Sequence, residues 1–263
     1  MNLTFVGGGI MAEAMIQRLV TSSIVSCELV NVVDPSFARR ELLGTRYGIA
    51  VHADPSSCIR GADVVILAVK PQELGTVASQ VGELQPDQVL LSILAGVKLE
   101  RLVQHFAHHL VVRAMPNTPA QIGRGMTVWT ATAEVGQVHV EKVRAILAAL
   151  GDEFYVPEEK YVDMASALSG SGPAYVFLFL EALMDGAVAI GMPRPMARRL
   201  AVQTVLGSTE YLLESEKHPA ELRNMVTSPG GTTAAALHTL EKGSLRALVS
   251  EAITAAYARS KVL

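Results

Sequence analysis

Leu3-Thr-Phe-Val-Gly-Gly-Gly-Ile-Met-Ala12 joins a short apolar run to a glycine-rich turn, and helical periodicity follows as far as Val20. The pattern Gly7-x-Gly9-x-x-Ala12 is typical of a turn that receives a dinucleotide pyrophosphate at a helix N-terminus. Gly7 would make the tight turn, Gly9 would let the pyrophosphate approach, and Ala12 would pack the helix on the strand. Because the motif lies between a strand pattern and a helix pattern, we favour a cofactor site over an ordinary glycine-rich turn.

Apolar runs of strand character alternate with helical patterns through the first half of the chain. Their continuous valine, isoleucine and leucine content is typical of parallel strands buried on both faces. Strands are predicted at residues 3–6, 28–33, 48–52, 62–69, 88–94, 110–115, 126–130 and 153–156. The alternation predicts an α/β fold with an N-terminal Rossmann-like, doubly wound, mostly parallel sheet.

From Glu158 onward the strand patterns stop and helical periodicity continues to the C-terminus. The helical stretch 161–191 is interrupted at 169–173, where Ser169 and Ser171 are candidate caps, and is then apolar on nearly every face. A helical domain of this size cannot easily bury such a helix alone, so a partner chain is expected. We predict a dinucleotide-binding domain over residues 1–156 and an all-helical domain over residues 157–263.

The overall composition argues against several classes of function. A net charge of -3 without a Lys/Arg cluster disfavours nucleic acids and anionic membranes as partners. The mean hydropathy of +0.32 is high, yet no uninterrupted apolar run reaches membrane-spanning length, and no export signal is apparent. Cys27 and Cys58 are expected to be free thiols in the reducing cytoplasm, and no histidine or cysteine spacing predicts a metal site.

Two conflicting signals for the cofactor follow the second predicted strand. Asp34 stands where an acidic residue commonly binds the ribose 2′-OH of NAD and repels the 2′-phosphate of NADP. Ser36, Arg39 and Arg40 come directly afterwards and can hold a phosphate, although the two arginines also suit a solvated helix face. The choice between NAD and NADP is therefore left open.

Other candidate cofactor contacts lie where later strands end, because ligands of doubly wound sheets lie beyond the carboxyl ends of strands. The fourth strand ends at Ala68-Val-Lys-Pro71, which places Ala68, Val69, Lys70 and Pro71 beside the cofactor. For Lys70, the alternative is an ordinary surface lysine without a role in binding. The sixth strand ends at Pro116-Asn-Thr-Pro119, a rigid loop at the same sheet edge, which makes Asn117 a candidate contact.

A second glycine-containing stretch, Val226-Thr-Ser-Pro-Gly-Gly-Thr-Thr233, precedes a helix-forming run near the C-terminus. Ser228 is a candidate N-cap and Pro229 a candidate first helical residue. The helical pattern itself runs from Thr232 to Leu240, after a Pro-Gly-Gly turn. The free N–H groups of a first helical turn can bind a carboxylate, and threonine hydroxyls add donors and acceptors. An ordinary capped helix start is the alternative. The candidate contacts are Ser228, Gly230, Gly231, Thr232 and Thr233.

Five segments together resemble the pyrroline-5-carboxylate reductase family, in the same order and over the full length of the chain. They are Val6-Gly-Gly-Gly9, Ala68-Val-Lys-Pro71, Met115-Pro-Asn-Thr-Pro119, Ala167-Leu-Ser-Gly-Ser-Gly-Pro-Ala-Tyr175 and Val226-Thr-Ser-Pro-Gly-Gly-Thr-Thr233. The last two are far more specific to the family than the first. The resemblance implies a Rossmann domain and a helical domain that interlocks with a second subunit, and rings of dimers also occur in the family.

The resemblance also implies an activity, the reduction of 1-pyrroline-5-carboxylate to L-proline by hydride transfer from NADPH, with NADH as the other candidate. The substrate carboxylate is then expected on the backbone N–H groups of Gly231, Thr232 and Thr233. The Thr233 hydroxyl would contact the ring nitrogen and act as the catalytic group, and Glu216 matches an acidic family position near the site. The cofactor contacts implied are Gly7, Gly8, Gly9, Ile10, Met11, Ala68, Val69, Lys70, Pro71 and Ala95.

Two departures from the family pattern concern the cofactor. Asp34 is acidic where the family often has a hydroxyl residue, which puts the usual NADPH preference in doubt. Asp54 stands where many members have asparagine near the nicotinamide ribose, so that contact is not carried over.

Three other functions compete with this activity. A β-hydroxyacid dehydrogenase would need a lysine where this chain has Val176. A reductase acting on another cyclic imine is harder to separate from the favoured activity. A regulatory protein that senses NAD(H) without turnover has no need of a substrate loop such as the one around Gly230 and Gly231.

Overall fold

A computed structural model describes residues 1–261, which form two compact units. The first unit comprises Met1–Ser171 and the residues from Ala256 onward, and the second comprises Gly172–Ala255. The predicted division between residues 156 and 157 follows the last strand, whereas the compact units divide between residues 171 and 172.

The first unit is built on an eight-stranded sheet. Its strands are β1 Leu3–Val6, β2 Val30–Val33, β3 Ala50–His52, β4 Val64–Leu67, β5 Val89–Ser92, β6 Val111–Met115, β7 Gly125–Ala131 and β8 Gly151–Tyr155. Their order is β3-β2-β1-β4-β5-β6-β7-β8, and only the β6–β7 pair is antiparallel. The order of the first six strands is that of a doubly wound dinucleotide-binding sheet, with the reversal between β1 and β4. The predicted Rossmann-like, mostly parallel sheet is confirmed.

Both faces of the central strands are buried, as their continuous apolar sequences predicted. In β4, Val64 and Ile66 pack into one hydrophobic cluster, and Val65 and Leu67 pack into another. This alternation follows the period of two along a strand. The helices of this unit are α1 Ile10–Thr21, α2 Phe37–Tyr47, α3 Leu74–Val81, α4 Leu99–Phe106, α5 Gln137–Ala148 and α6 Lys160–Ala165.

The predicted strand ends differ from the observed ones by up to two residues. The strand predicted at residues 28–33 begins at Val30, because Cys27–Leu29 forms a 3₁₀ turn in which Leu29 is exposed. Apolar side chains at the ends of several strands extend the sequence pattern past the last ladder hydrogen bond, whereas β7 and β8 begin before the predicted residues.

The second half of the chain is all helical, as predicted. Its helices are α7 Gly172–Ala189, α8 Arg194–Ser215, α9 Pro219–Met225, α10 Thr232–Lys242 and α11 Leu245–Ser260. The helical sequence pattern that begins at Leu245 runs to Val262, which lies outside the described residues. Between α6 and α7 the chain does not break: Ser166–Gly170 forms a π-helical turn, and Pro173 lies in the first turn of α7.

Helix α7 carries much exposed apolar surface, to which Phe177 and Leu178 contribute with exposed fractions of 62% and 67%. Among the described residues, the helical stretch Lys160–Ala189 is long and apolar enough to cross a membrane by length and composition alone. None of the most apolar 18 residues of this stretch is buried within this chain. An isolated chain therefore leaves a large apolar helix surface uncovered.

Candidate active site

The glycine turn between β1 and α1 is shaped by positions that exclude a side chain. Gly7 has a φ of +99°, and a Cβ there would lie 2.6 Å from the backbone oxygen of Ala68. A Cβ at Gly8 would lie 2.9 Å from Cδ1 of Leu43. The N–H of Gly7 donates to the carbonyl of Val33, which ties the turn to β2. Only glycine fits at Gly7, because any other residue would be strained and would collide with backbone.

Backbone donors at the start of α1 are free. Gly9 is the N-cap, and no side chain caps the helix. Within residues 1–261, the N–H groups of Gly9, Ile10 and Met11 donate no hydrogen bond to the protein. The first turn of a helix presents such orphan donors together with the positive end of the helix dipole, so this turn is suited to an anion such as a pyrophosphate.

The carboxylate of Asp34 binds the backbone of two loops, the glycine turn after β1 and the loop between β2 and α2. Its Oδ2 accepts a hydrogen bond from the N–H of Gly8 at 2.8 Å, and its Oδ1 accepts one from the N–H of Ser36 at 2.8 Å. Each carboxylate oxygen can accept a further bond, so a ribose hydroxyl can still be bound. Ser36 caps α2 by accepting from the N–H of Arg39.

Both arginines predicted to hold a phosphate contact protein groups. Arg39 Nε donates to the carbonyl oxygen of Gly8 at 2.7 Å, and its Nη2 donates to Glu13 at 2.8 Å. Arg40 Nη1 donates to the carbonyl oxygens of Asp34 and Pro35, at 2.7 and 2.9 Å. Neither guanidinium is simply solvated, because Arg39 ties α2 to the glycine turn and to α1, and Arg40 fixes the loop between β2 and α2.

A cleft at the carboxyl ends of β1, β2 and β4 brings several predicted residues together. Those that line it are Gly7, Gly8, Gly9, Asp34, Ala68, Val69 and Lys70. Other predicted cofactor residues are not among those that line it, namely Ile10, Met11, Ser36, Arg39, Pro71, Ala95 and Asn117. Sequence reasoning missed Thr76 and Gln80 and set Asp54 aside, although all three line the cleft. Their position in the chain could have indicated them. Asp54 comes shortly after the end of β3, and Thr76 and Gln80 lie on α3, which follows the loop after β4.

Asn117 is buried, and both the nitrogen and the oxygen of its amide contact the protein. Its Nδ2 donates to the carbonyl oxygen of Ser169 at 2.9 Å, and its Oδ1 accepts from the N–H of Met126 at 2.9 Å. The side chain therefore joins the loop after β6 to the π-helical turn. Such turns occur frequently at functional sites.

The predicted caps at Ser169 and Ser171 are wrong. Ser169 Oγ donates to the carbonyl of Ala165 at 3.0 Å, and Ser171 Oγ donates to the carbonyl of Ser166 at 3.1 Å. Serine hydroxyls often bond back to the preceding turn in this way. The chain stays helical from α6 through the π-helical turn into α7, so the helix continues instead of ending and restarting.

Arg113 is a buried charge that sequence reasoning missed. Its side chain lies in β6 and pairs with Glu159 at 2.8 Å and with Asp163 at 2.5 Å. Glu159 also accepts a hydrogen bond from the N–H of Leu99. The signal was a charged residue inside the apolar run Leu110–Met115, because an arginine in such a position must find acidic partners.

In the second unit, the Ser-Pro-Gly-Gly stretch forms a turn ahead of α10. The N–H of Gly231 donates to the carbonyl of Ser228 at 3.1 Å, and Gly230 has a φ of +69°. Proline at the second position and a positive-φ glycine at the third are the pattern of a type II turn. Gly231 is the N-cap and Thr232 begins the helix, so the helix start predicted at Thr232 is confirmed and the candidate N-cap at Ser228 is wrong.

The first turn of α10 offers a set of free polar groups. In the described part of the chain, the N–H groups of Thr232 and Thr233 donate no hydrogen bond, and neither threonine hydroxyl has a partner. The N–H of Gly231, predicted as a third donor, is used within the turn. Glu216, an exposed residue with a φ of +53°, ends α8 in the same unit. The start of α10 therefore presents the free N–H groups of Thr232 and Thr233 together with their two hydroxyls.

Residues 1–261 contain no cluster of three or more His, Cys, Asp or Glu residues that could hold a metal ion. The expected lack of a metal remains a prediction.

Two family models match the chain. The model described as pyrroline-5-carboxylate reductase dimerisation matches residues 159–263, and the model described as NADP oxidoreductase coenzyme F420-dependent matches residues 2–96. The pyrroline-5-carboxylate reductase of Synechocystis is 44% identical over 262 residues, which cover 100% of this chain and 98% of that protein. That of Arabidopsis thaliana is 39% identical and covers 98% and 94%.

Solved structures agree with the sequence relatives. The crystal structure of Plasmodium falciparum pyrroline carboxylate reductase with NADP bound is 30% identical, with a TM-score of 0.91 and coverage of 99% and 97%. Both the sequence and the fold thus match one family over the full length, and the chain belongs to the pyrroline-5-carboxylate reductase family.

Proposed function

We propose that this chain reduces 1-pyrroline-5-carboxylate to L-proline, the last step of proline biosynthesis, with NADPH or NADH as the hydride donor. Full-length membership of the reductase family carries the proposal. The two loops described above support it, because one offers donors for a pyrophosphate and the other offers donors and hydroxyls for a small anion.

For the cofactor, we propose NADPH, with NADH as the alternative. The NADP in the Plasmodium relative supports this choice. The free N–H groups at Gly9, Ile10 and Met11 suit the pyrophosphate. The further residues proposed to hold the cofactor are Gly7, Gly8, Asp34, Ser36, Arg39, Ala68, Val69, Lys70, Pro71, Ala95 and Asn117. Asn117 and Arg39 would act by holding backbone in place, since their polar groups already bind the protein.

For the substrate, we propose that its carboxylate binds at the start of α10. The N–H groups of Thr232 and Thr233 would receive it at the positive end of the helix dipole. The glycines before them leave room for the ring, since no atom lies within 4 Å of a Cβ built at Gly230. Ser228, Gly230, Gly231 and Glu216 complete the proposed substrate-binding set.

The chemistry needs orientation more than a strong acid. A nicotinamide held in the cleft would supply the hydride that C5 of the ring accepts when the C=N bond becomes an amine. A protonated imine already carries the proton on nitrogen and the positive charge that makes C5 electrophilic. The Thr233 hydroxyl would orient the ring nitrogen and hold its proton, and the surrounding protein would exclude water.

We further propose a homodimer formed through the helical domain, residues 157–263, with residues 1–156 as the dinucleotide-binding domain. The exposed apolar side chains of α7 support this, because a second copy can bury them. Dimers would associate further into a ring. Light scattering should give at least twice the mass of one chain, and Leu178→Asp should shift the protein toward the monomer. A monomeric wild-type protein would contradict the proposal.

The proposed compartment is the cytoplasm, and the proposed partners are small molecules only. The free thiols of Cys27 and Cys58 suit a reducing compartment. If the apolar stretch Lys160–Ala189 is covered by a second copy, the protein should stay in the supernatant after ultracentrifugation of lysed cells. Recovery with the membrane fraction would contradict this.

Identification of the product tests the function. Purified protein with NADPH and pyrroline-5-carboxylate should yield L-proline on chiral chromatography, and the reaction without protein is the control. The imine 2-methyl-1-pyrroline lacks the carboxylate that the α10 donors would bind, so it should be a poor substrate. Comparable rates with both imines would instead favour a broad imine reductase.

A further inference from the structure

Five side chains and one glycine form a connected network beneath the glycine turn. Asp34 accepts from the N–H of Gly8, and Arg39 Nε donates to the carbonyl oxygen of the same residue. The Arg39 guanidinium is held in turn by Glu13, on the first turn of α1. Glu13 also accepts from Arg46 at 3.0 Å and from the hydroxyl of Tyr47 at 3.1 Å.

The two contacts at Gly8 fix two successive peptide planes. In a trans peptide, the C=O of one residue and the N–H of the next point in opposite directions. When Arg39 holds the carbonyl of Gly8, the N–H of Gly9 must point away from Arg39. That N–H is one of the free donors at the start of α1. Glycine rotates more freely than any other residue, so Gly8 needs such external contacts to keep one orientation.

We infer that Arg39, held by Glu13, is a positioning residue that orients the Gly8–Gly9 peptide for the cofactor pyrophosphate. This inference rests on the proposed function, because it concerns the same cofactor site. It differs from the prediction that Arg39 binds the 2′-phosphate of NADP. Nε of the guanidinium already donates to Gly8 and Nη2 donates to Glu13, and the Arg39 side chain is only 29% exposed.

The two roles for Arg39 make opposite predictions about selectivity. The pyrophosphate is common to NADPH and NADH, whereas only NADPH has the 2′-phosphate. A residue that orients Gly9 therefore affects both cofactors equally, and a residue that binds the 2′-phosphate affects NADPH alone.

The test is direct binding of each cofactor to the full-length protein by calorimetry, without substrate. Arg39→Gln should weaken NADPH and NADH by the same factor, about tenfold, the size expected for one hydrogen bond from a charged donor. Glu13→Ala should weaken both by a smaller common factor. Arg39→Lys should restore binding only in part, because an ammonium lacks the fork that reaches Gly8 and Glu13 together.

Arg46→Gln is the matched control. This substitution removes the same positive charge and a 3.0 Å ion pair with Glu13. The Arg46 side chain does not contact Gly8, so the Gly8–Gly9 peptide is left unchanged. Its affinity for both cofactors should stay within twofold of the wild type. At saturating cofactor and substrate, kcat of the Arg39 variants should stay near the wild-type value. Weaker cofactor binding with an unchanged kcat is a combination that general destabilisation would not produce.

A loss confined to NADPH would overturn the inference, and so would unchanged binding of both cofactors. If Arg39→Gln does not fold, the comparison of Arg39→Lys with Arg46→Gln decides the matter in the same way. Failure of the wild-type protein to bind either cofactor would instead contradict the proposed function, so the two failures are distinguishable.

Discussion

The Asp34 carboxylate accepts a hydrogen bond from the backbone N–H of Gly8, 2.8 Å away, across the turn between β1 and α1. The same side chain accepts from the N–H of Ser36, at the start of the loop that leads into α2. Asp34 therefore has two effects that can be separated. It shapes the glycine turn through hydrogen bonds, and it places a negative charge where the adenosine ribose of a dinucleotide lies in this type of fold.

Substitution of Asp34 should change the selectivity between cofactors. Asp34→Ser removes the charge that opposes a 2′-phosphate, so the ratio of kcat/KM for NADPH to that for NADH should rise, by about tenfold. Asp34→Asn also removes the charge but keeps an oxygen that can accept from Gly8. It should therefore shift the ratio similarly while losing less absolute affinity for NADH. An unchanged ratio in both variants would mean that Asp34 does not contact the ribose.

Thr233 should matter for turnover more than any other hydroxyl on α10. Thr233→Ala is expected to lower kcat by about one to three orders of magnitude, or roughly 1.4 to 4 kcal/mol of barrier stabilisation. Thr233→Ser should recover most of the rate. The control is Thr239→Ala on the same helix, whose hydroxyl only bonds back to Ala235. Wild-type turnover in Thr233→Ala would remove this residue from the mechanism.

Arg113 should be important for stability. Arg113→Met leaves Glu159 and Asp163 without their partner, so the free energy of unfolding should fall by about 3–5 kcal/mol. The comparison is Arg144→Met, which breaks a half-exposed pair with Glu153 and should cost about 1 kcal/mol or less. Urea titration at one fixed protein concentration measures both, since assembly contributes to apparent stability. Equal losses of unfolding free energy in the two variants would show that the burial of Arg113 does not increase the cost of breaking its ion pairs.

Glu13 should add a pH-dependent term to stability. Partial burial raises its pKa, but hydrogen bonds from Arg39 and Tyr47 and the charges of Arg39 and Arg46 outweigh this, so the pKa lies below its ordinary value of 4.5. A lowered pKa in the folded state stabilises the protein above pH 4.5, and this contribution is lost as the pH falls through the folded value. The wild type should therefore exceed Glu13→Gln in unfolding free energy at pH 7 and lose that advantage toward pH 3. A difference independent of pH would contradict the assigned charge contacts.

Patterns of local sequence predicted most of the fold, whereas contacts between distant residues were not predictable. The strand at Leu3–Val6 and the glycine turn follow from local periodicity and from the steric demands at Gly7. The partners of Arg113 lie 46 and 50 residues further along the chain, and no local pattern names them.

At the proposed site, too, residue type alone did not predict which groups are used within the protein. Ser228 is a good N-cap by residue type, yet the Pro-Gly pair after it favours a turn that delays the helix to Thr232. Arg39 suited a phosphate site by position, but its contacts with Gly8 and Glu13 depend on how α1 and α2 pack. Composition indicates which groups are present, and packing decides which of them remain free.

The most direct test of the central claim is the fall in nicotinamide absorbance on adding pyrroline-5-carboxylate, measured once with NADPH and once with NADH. The proposed function predicts rapid oxidation with at least one cofactor, and none when the imine is left out. Absence of oxidation with either cofactor, in folded protein that still binds both, would contradict the reduction of this imine and direct attention to other cyclic imines.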